Sequence, residues 1–114
     1  MFPENDIIDF VSALERIGGD TEFLDELLEI YMEEFDTTYS SLVEAVANQD
    51  FKAIQELGHC LKGSSANLSL IQLREKAYLI ETAGGELNLE LAQRGTTELK
   101  TEYERFKVFI AERK

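Results

Sequence analysis

The sequence predicts an all-α protein: an antiparallel up-down-up-down four-helix bundle with a short extra helix at its N-terminal end. Three observations carry this prediction. Apolar residues recur at three- and four-residue spacings along nearly the whole chain, and strand-like alternation is absent. The 114 residues hold one Pro, at position 3, and only 7 Gly, so helical segments run long between breaks. The breaks are two to four residues long, which makes sequence neighbours pack antiparallel.

The first helix spans Asp6 to Ile17, with apolar spacings Ile7, Val11, Leu14 and Phe10, Leu14, Ile17. Gly18 and Gly19 supply a left-handed stop, and Asp20 is an N-cap for the second helix. That helix runs from Thr21 to about Asn48 on Leu24, Leu27, Leu28, Tyr31, Phe35, Leu42 and Val46. Thr37, Thr38, Ser40 and Ser41 lower helix propensity in its middle, where a bend is allowed. Its acidic face reads as a solvated one, crowded toward the end the helix dipole favours. Asp50 caps a third helix, Phe51 to Asn67, whose apolar stripe is Phe51, Ile54, Leu57, Leu61 and Leu68, with small Gly58 and Ser65 on the same side. Ser69 and Gln72 match a capping box, with Leu68 and Leu73 at staple positions, so a fourth helix starts at Leu70 and stops at Gly84-Gly85. The last helix, Asn88 to Glu112, alternates four and three on Ala92, Thr96, Leu99, Tyr103, Phe106 and Ile110, the seam of a helix packed at a shallow angle. Gly95 within it is read as a mark of fraying.

The chain is long enough for one domain with one core, over residues 1–114. Hydrophobic residues make up 44%, too many for a disordered acidic tail. The net charge of −12 repels phosphate backbones and anionic membranes, so nucleic acid and membrane are not expected partners. The N-terminus has no basic segment followed by an apolar one, and the single cysteine forms no internal disulfide; a cytoplasmic protein is expected. Nothing long and apolar is left outside the core, so a monomer is expected. An initiator Met and a charged end, Ala111 to Lys114, favour a free-standing protein.

The only histidine, His59, lies about 140° around the third helix from Ile54, on the face away from the core. Lys52, Gln55, Gly63 and Ala66 fall within about 40° of it, and Lys62 about 60° away. Glu56-x-x-His59 is the unit of di-iron bundles, but those sites need a second histidine, and His59 and Cys60 point about 100° apart. No metal site and no cofactor are expected. No nucleophile elbow or phosphate loop accompanies the histidine, which removes hydrolase readings. What remains is the chemistry of imidazole itself, whose neutral form carries a nucleophilic nitrogen. Lys62 can bring an ammonium to phosphoryl oxygens, and Gly63 leaves room for a partner. The same spacing also suits an ordinary surface histidine, with Gly63 to Ala66 serving close packing and Cys60 a small buried hydrophobe.

The motif His59-x-Leu61-Lys62-Gly63-Ser64-Ser65, on the third long helix of a small acidic bundle, resembles that of the histidine-containing phosphotransfer (HPt) domain. The resemblance extends to Gly18-Gly19-Asp20-x-x-Phe23-Leu24 and to Leu79-Ile80-Glu81 followed by Gly84. It implies that His59 takes a phosphoryl group from a receiver-domain aspartate and passes it to another, with Lys62 and Gly63 supporting the phosphohistidine. It also implies a shuttle without kinase machinery, partnered by receiver domains of response regulators or hybrid kinases. Docking would centre on Lys52, Gln55, Glu56, Lys62, Gly63 and Ala66, with Lys52 and Lys62 a positive spot on a negative surface. Many family members have glycine ten residues after the histidine, where this chain has Ser69. Two alternatives stand beside this reading: a phosphoacceptor domain of a larger histidine kinase, and an interaction bundle without phosphate chemistry.

Overall fold

The computed structural model describes residues 7–113, with side chains through Glu112. Within them lie five complete helices and no strand: α1 (Phe10–Arg16), α2 (Thr21–Ala47), α3 (Phe51–Asn67), α4 (Ile71–Gly85) and α5 (Leu89–Arg113). The N-caps Asp9, Asp20, Asp50 and Asn88 accept the backbone N–H of Ser12, Phe23, Ala53 and Leu91 at 3.0–3.1 Å, satisfying donors that a helix start leaves open. Asp20 and Asp50 cap where the sequence placed them. The first helix is shorter than the expected Asp6 to Ile17: it runs Phe10–Arg16, because the Asp9 carboxylate caps it and leaves Ile8 and Asp9 outside any helix, while the expected start at Asp6 lies outside the described residues. Its inward residue is Ala13, and Ile8 just before it is buried as well, both 0% exposed, while Val11 stands 69% exposed.

The four connections share one geometry. After α3, the N–H of Leu70 reaches the carbonyl of Ser65 and that of Ser69 reaches Ala66, the paired bonds of a Schellman motif. The same pattern closes α1 at Gly18-Gly19, α2 at Gln49-Asp50 and α4 at Leu87-Asn88. Three of the turns place one residue at positive φ, Gln49 at 53°, Ser69 at 54° and Leu87 at 56°, and the turn after α1 places two, Gly18 and Gly19, both at 87°. In the first three the next residue is already the N-cap of the following helix, so a single left-handed residue reverses the chain.

Two expectations change here. Ser69 is not the N-cap of α4; that position is Leu70, with no side-chain cap bond, and the capping box does not form. Ser69 instead occupies the left-handed slot of the turn, its hydroxyl donates to Ser12 Oγ at 3.1 Å, and its carbonyl accepts the N–H of Asp9. That conformation favours glycine. Likewise Gly84 and Gly85 belong to α4, and the stop is the turn at Leu87.

The glycines inside α3, α4 and α5 have a different cause. A Cβ on Gly58 would sit 2.5 Å from the backbone N of Glu81, and one on Gly84 would sit 2.4 Å from that of Gln55. The α3 and α4 backbones therefore touch at two points, and this is the most extensive packing between elements. Gly95 is buried, with Ile80 3.0 Å from where its Cβ would stand, so it admits α4 and does not mark fraying. The α5 seam is buried at all six expected positions. Across the core, Phe35 stacks on Tyr103 at 3.7 Å between centroids, and the Tyr103 hydroxyl donates to the Met32 carbonyl at 3.0 Å. Tyr31 and Ser65 share a buried hydrogen bond of 2.8 Å beneath the histidine helix. Burial pushes the Tyr31 phenol far above its ordinary range, the Ser65 bond opposing, so the pair stays neutral.

Candidate functional site

The α3 stripe Ile54, Gly58, Leu61, Ser65 and Leu68 is buried against the core, and this fixes which way the rest of the helix faces. His59 is consequently 71% exposed at the side chain. Lys52, Gln55, Glu56 and Gly63 are exposed, Lys62 and Ala66 half-buried, all along the same side as expected. Cys60 departs from expectation: it is exposed, about 200° around α3 from the buried Gly58.

The residue that sequence reasoning left without a role is Glu81. The contact of Gly58 with the Glu81 backbone sets this carboxylate against the outer face of α3. Its Oε2 lies 2.6 Å from His59 Nδ1 and its Oε1 2.6 Å from Lys62 Nζ. The Lys62 hydrogen bond, seconded by that from His59 and opposed by partial desolvation, holds the Glu81 carboxyl below the usual carboxylate range. An ionised carboxylate only accepts, so Nδ1 carries the ring proton and Nε2 is left with its lone pair. Nε2 is thus the nucleophilic atom, on the exposed part of the ring.

Lys62 is held from two sides. Its ammonium binds Glu81 and lies 5.3 Å from the ring centroid of Tyr78, one turn earlier on α4. The expected positive spot is therefore modified. The Lys62 charge is matched by Glu81 while the site is unmodified, and Lys52 is exposed with no ion pair among the described residues. Glu81 and Tyr78 were discoverable in principle: reading Gly58 and Gly84 as crossing points, and not as helix breakers, aligns α4 so that position 81 meets position 59.

Gly63 contrasts with the other helix glycines. Nothing lies within 4 Å of where its Cβ would be. A glycine inside a helix costs about 1 kcal/mol relative to alanine, and no packing within the described chain requires that sacrifice. The neighbouring small residue that does serve packing is Ser65, buried on Tyr31.

The site combines a tautomer-fixed imidazole in solvent, an ammonium one turn away and a bare patch of helix beside both. The arrangement suits an in-line displacement at a phosphoryl group brought by another molecule. Among the described residues no three His, Cys, Asp or Glu side chains converge as a metal-binding group. No helix among them is long and apolar enough to cross a membrane.

Comparison with known proteins agrees with this geometry. The sequence model of the family described as "Hpt domain" matches residues 26–108, which contain His59, Lys62, Gly63 and Glu81. A curated relative, Multistep phosphorelay regulator 1 of Schizosaccharomyces pombe, is 38% identical over 76 residues. That match covers 66% of this chain and 26% of the relative, so the chain spans about a quarter of the length of the protein it matches. With more than half of its residues matched by the family model, the chain belongs to the Hpt-domain family.

Proposed function

We propose that the chain is a phosphotransfer intermediate of a multistep phosphorelay, accepting a phosphoryl group on His59 Nε2 from a receiver-domain aspartyl phosphate and donating it to a second receiver. The observation that carries this is the Glu81 carboxylate 2.6 Å from Nδ1 on a ring 71% exposed, which leaves Nε2 unprotonated and facing any partner. In the step, the Nε2 lone pair attacks phosphorus and an N–P bond forms. The P–O bond to the aspartate breaks, and its electron pair leaves on that carboxylate. The proton on Nδ1 stays in its bond to Glu81, whose charge balances the phosphorylated, now cationic ring. Lys62 turns from Glu81 toward the phosphoryl oxygens, and Gly63 lets the receiver surface come close. Onward transfer reverses the sequence: an aspartate oxygen of the next receiver attacks phosphorus and the N–P electrons return to Nε2.

The docking face on this reading comprises Lys52, Gln55, Glu56, Lys62, Gly63 and Ala66, on a single-domain cytoplasmic monomer that supplies no kinase chemistry of its own. Antiparallel up-down-up-down topology is part of the proposal. It is supported by residue numbers running in opposite directions across contacts: Gly58 with Glu81 and Gly84 with Gln55 between α3 and α4, Met32 with Tyr103 and Tyr39 with Thr96 between α2 and α5. The same chemistry would serve a phosphoacceptor segment of a longer protein, a second reading favoured by the greater length of the curated relative.

The test is incubation with a receiver domain carrying labelled aspartyl phosphate. The chain should acquire an acid-labile, base-stable label, and His59→Gln should acquire none. Label on the His59→Gln protein would refute the assignment.

A further inference from the structure

Cations are scarce on this surface, and nearly all of them are neutralised within the chain. Among the described side chains, every lysine and arginine but two lies within 4 Å of a glutamate oxygen. The exceptions are Lys52 and Arg16, both exposed. In a protein of net charge −12, two unmatched cations would be expected to fall anywhere. Instead both border the histidine face. Lys52 precedes His59 by seven residues and Ala66 follows it by seven, so each lies two turns, about 10 Å, along one face of α3. Ala66 shares a small cleft of about 130 Å³ with Arg16, Arg74, the hydrogen-bonded hydroxyls of Ser12 and Ser69, and Asp9, whose carboxylate accepts the Ser12 N–H and makes no ion pair with either arginine.

Arg16 also stands at the edge of a second, larger groove of about 520 Å³ between α1, α2 and α3, lined by apolar Ile17, Leu27, Ile30 and Leu68 and by one carboxylate, Glu34, which is not within ion-pair distance of Arg16. Arg74, the other cation of the small cleft, is tied only to the adjacent Glu75 at 3.3 Å, and both are exposed; such a pair is weak. The nucleophile is thus flanked by unmatched positive charge at both ends of its face, on a molecule whose overall field would repel an acidic partner.

We infer that Arg16 is a docking residue that receives a carboxylate on the receiver partner. This rests on the phosphotransfer reading above. Arg16 would act on encounter and orientation, and the displacement at phosphorus would be left to His59, Glu81 and Lys62. Lys52 is the second anchor, so that an acidic face meets two cations about 20 Å apart with the reacting aspartate between them.

The experiment uses the isolated receiver domains encoded in the source genome, each phosphorylated with acetyl phosphate, and takes the one that labels wild-type His59 fastest. Phosphoramidate, a small donor that needs no docking face, is run in parallel. Arg16→Glu should lower kcat/KM for the receiver by about tenfold or more through KM, Arg16→Lys should stay near wild type, and phosphoramidate labelling should be unchanged in both. A charge-reversing substitution at one surface carboxylate of the receiver should restore transfer to Arg16→Glu. An unaltered kcat/KM in Arg16→Glu overturns the inference, as does an equal loss with phosphoramidate, which would mean a structural role at the end of α1. If no receiver labels the wild type while phosphoramidate does, the phosphorelay reading itself fails, an outcome distinct from either.

Discussion

Replacing Glu81 by Gln keeps the shape of the side chain that holds His59 and Lys62 but removes its charge, and it isolates the role of the carboxylate. The charge-assisted bond to Nδ1–H becomes a neutral one. The new amide can also donate to Nδ1, which favours a proton on Nε2 and removes the nucleophile. A hydrogen bond to an ionised group contributes about 1.5–3 kcal/mol. His59 is 71% exposed and water competes for it, so the lower end applies. About 1.4 kcal/mol is a factor of ten in rate, and phosphoryl uptake from a receiver should slow by about tenfold. Rapid-quench single-turnover transfer measures the rate, and nitrogen-15 NMR of the imidazole reads the tautomer without ambiguity, since the chain has one histidine. The pH dependence has a defined sign. The Glu81 carboxyl is held below its ordinary range, so its stabilising contribution is complete above about pH 4.3, the unfolded value, and is lost as pH falls through the lowered folded one. Wild type and Glu81→Gln should differ in Tm near neutrality and converge in acid. A wild-type transfer rate together with an unchanged Nδ1–H tautomer would refute the reasoning.

Lys62→Glu removes the ammonium and sets two carboxylates side by side; transfer should slow by about tenfold or more while circular dichroism retains the helical signal, and an unchanged rate would remove Lys62 from the mechanism. Gly63→Ala and Gly58→Ala should behave oppositely in urea unfolding. The first should gain up to about 1 kcal/mol yet transfer more slowly, having open space around it but a partner to accommodate. The second should lose about 1–3 kcal/mol, since its Cβ meets the Glu81 backbone. Leu87→Gly, at φ 56° and 69% exposed, should stabilise by about 0.5–1 kcal/mol, because the left-handed penalty of about 1–2 kcal/mol exceeds the extra entropy glycine loses. A lower Tm for Leu87→Gly would show that its side chain makes a contribution the turn geometry does not reveal.

Helix existence, the long second helix, the α5 seam and the outward direction of His59 were all legible in the residue order. Each depends on where apolar side chains recur within one segment, and a helix converts that spacing directly into a face. The turns were less legible. Ser69-x-x-Gln72 has the letters of a capping box, but the preceding helix claims Ser69 for its own closing turn, and Leu70 becomes the cap. The glycines were misread for a related reason: Gly84 and Gly95 look like interruptions of a helix when only the helix is considered, and become contact points once another helix lies against them. Cys60 is exposed because its place on α3 is about 200° around from Gly58, whatever its own hydrophobicity.

By itself, then, the sequence determined the helical class, the extent of the four long helices to within a residue or two, the acidic surface and a solvent-facing histidine with Lys62 and Gly63 beside it, since all of these are local in the chain. Only the tertiary structure decided that Glu81, 22 residues away, holds both the histidine and the lysine. The reason is physical: the two glycines Gly58 and Gly84 let α3 and α4 approach until their backbones touch, and that approach selects which residue of α4 meets His59 and which ring nitrogen is left free to react.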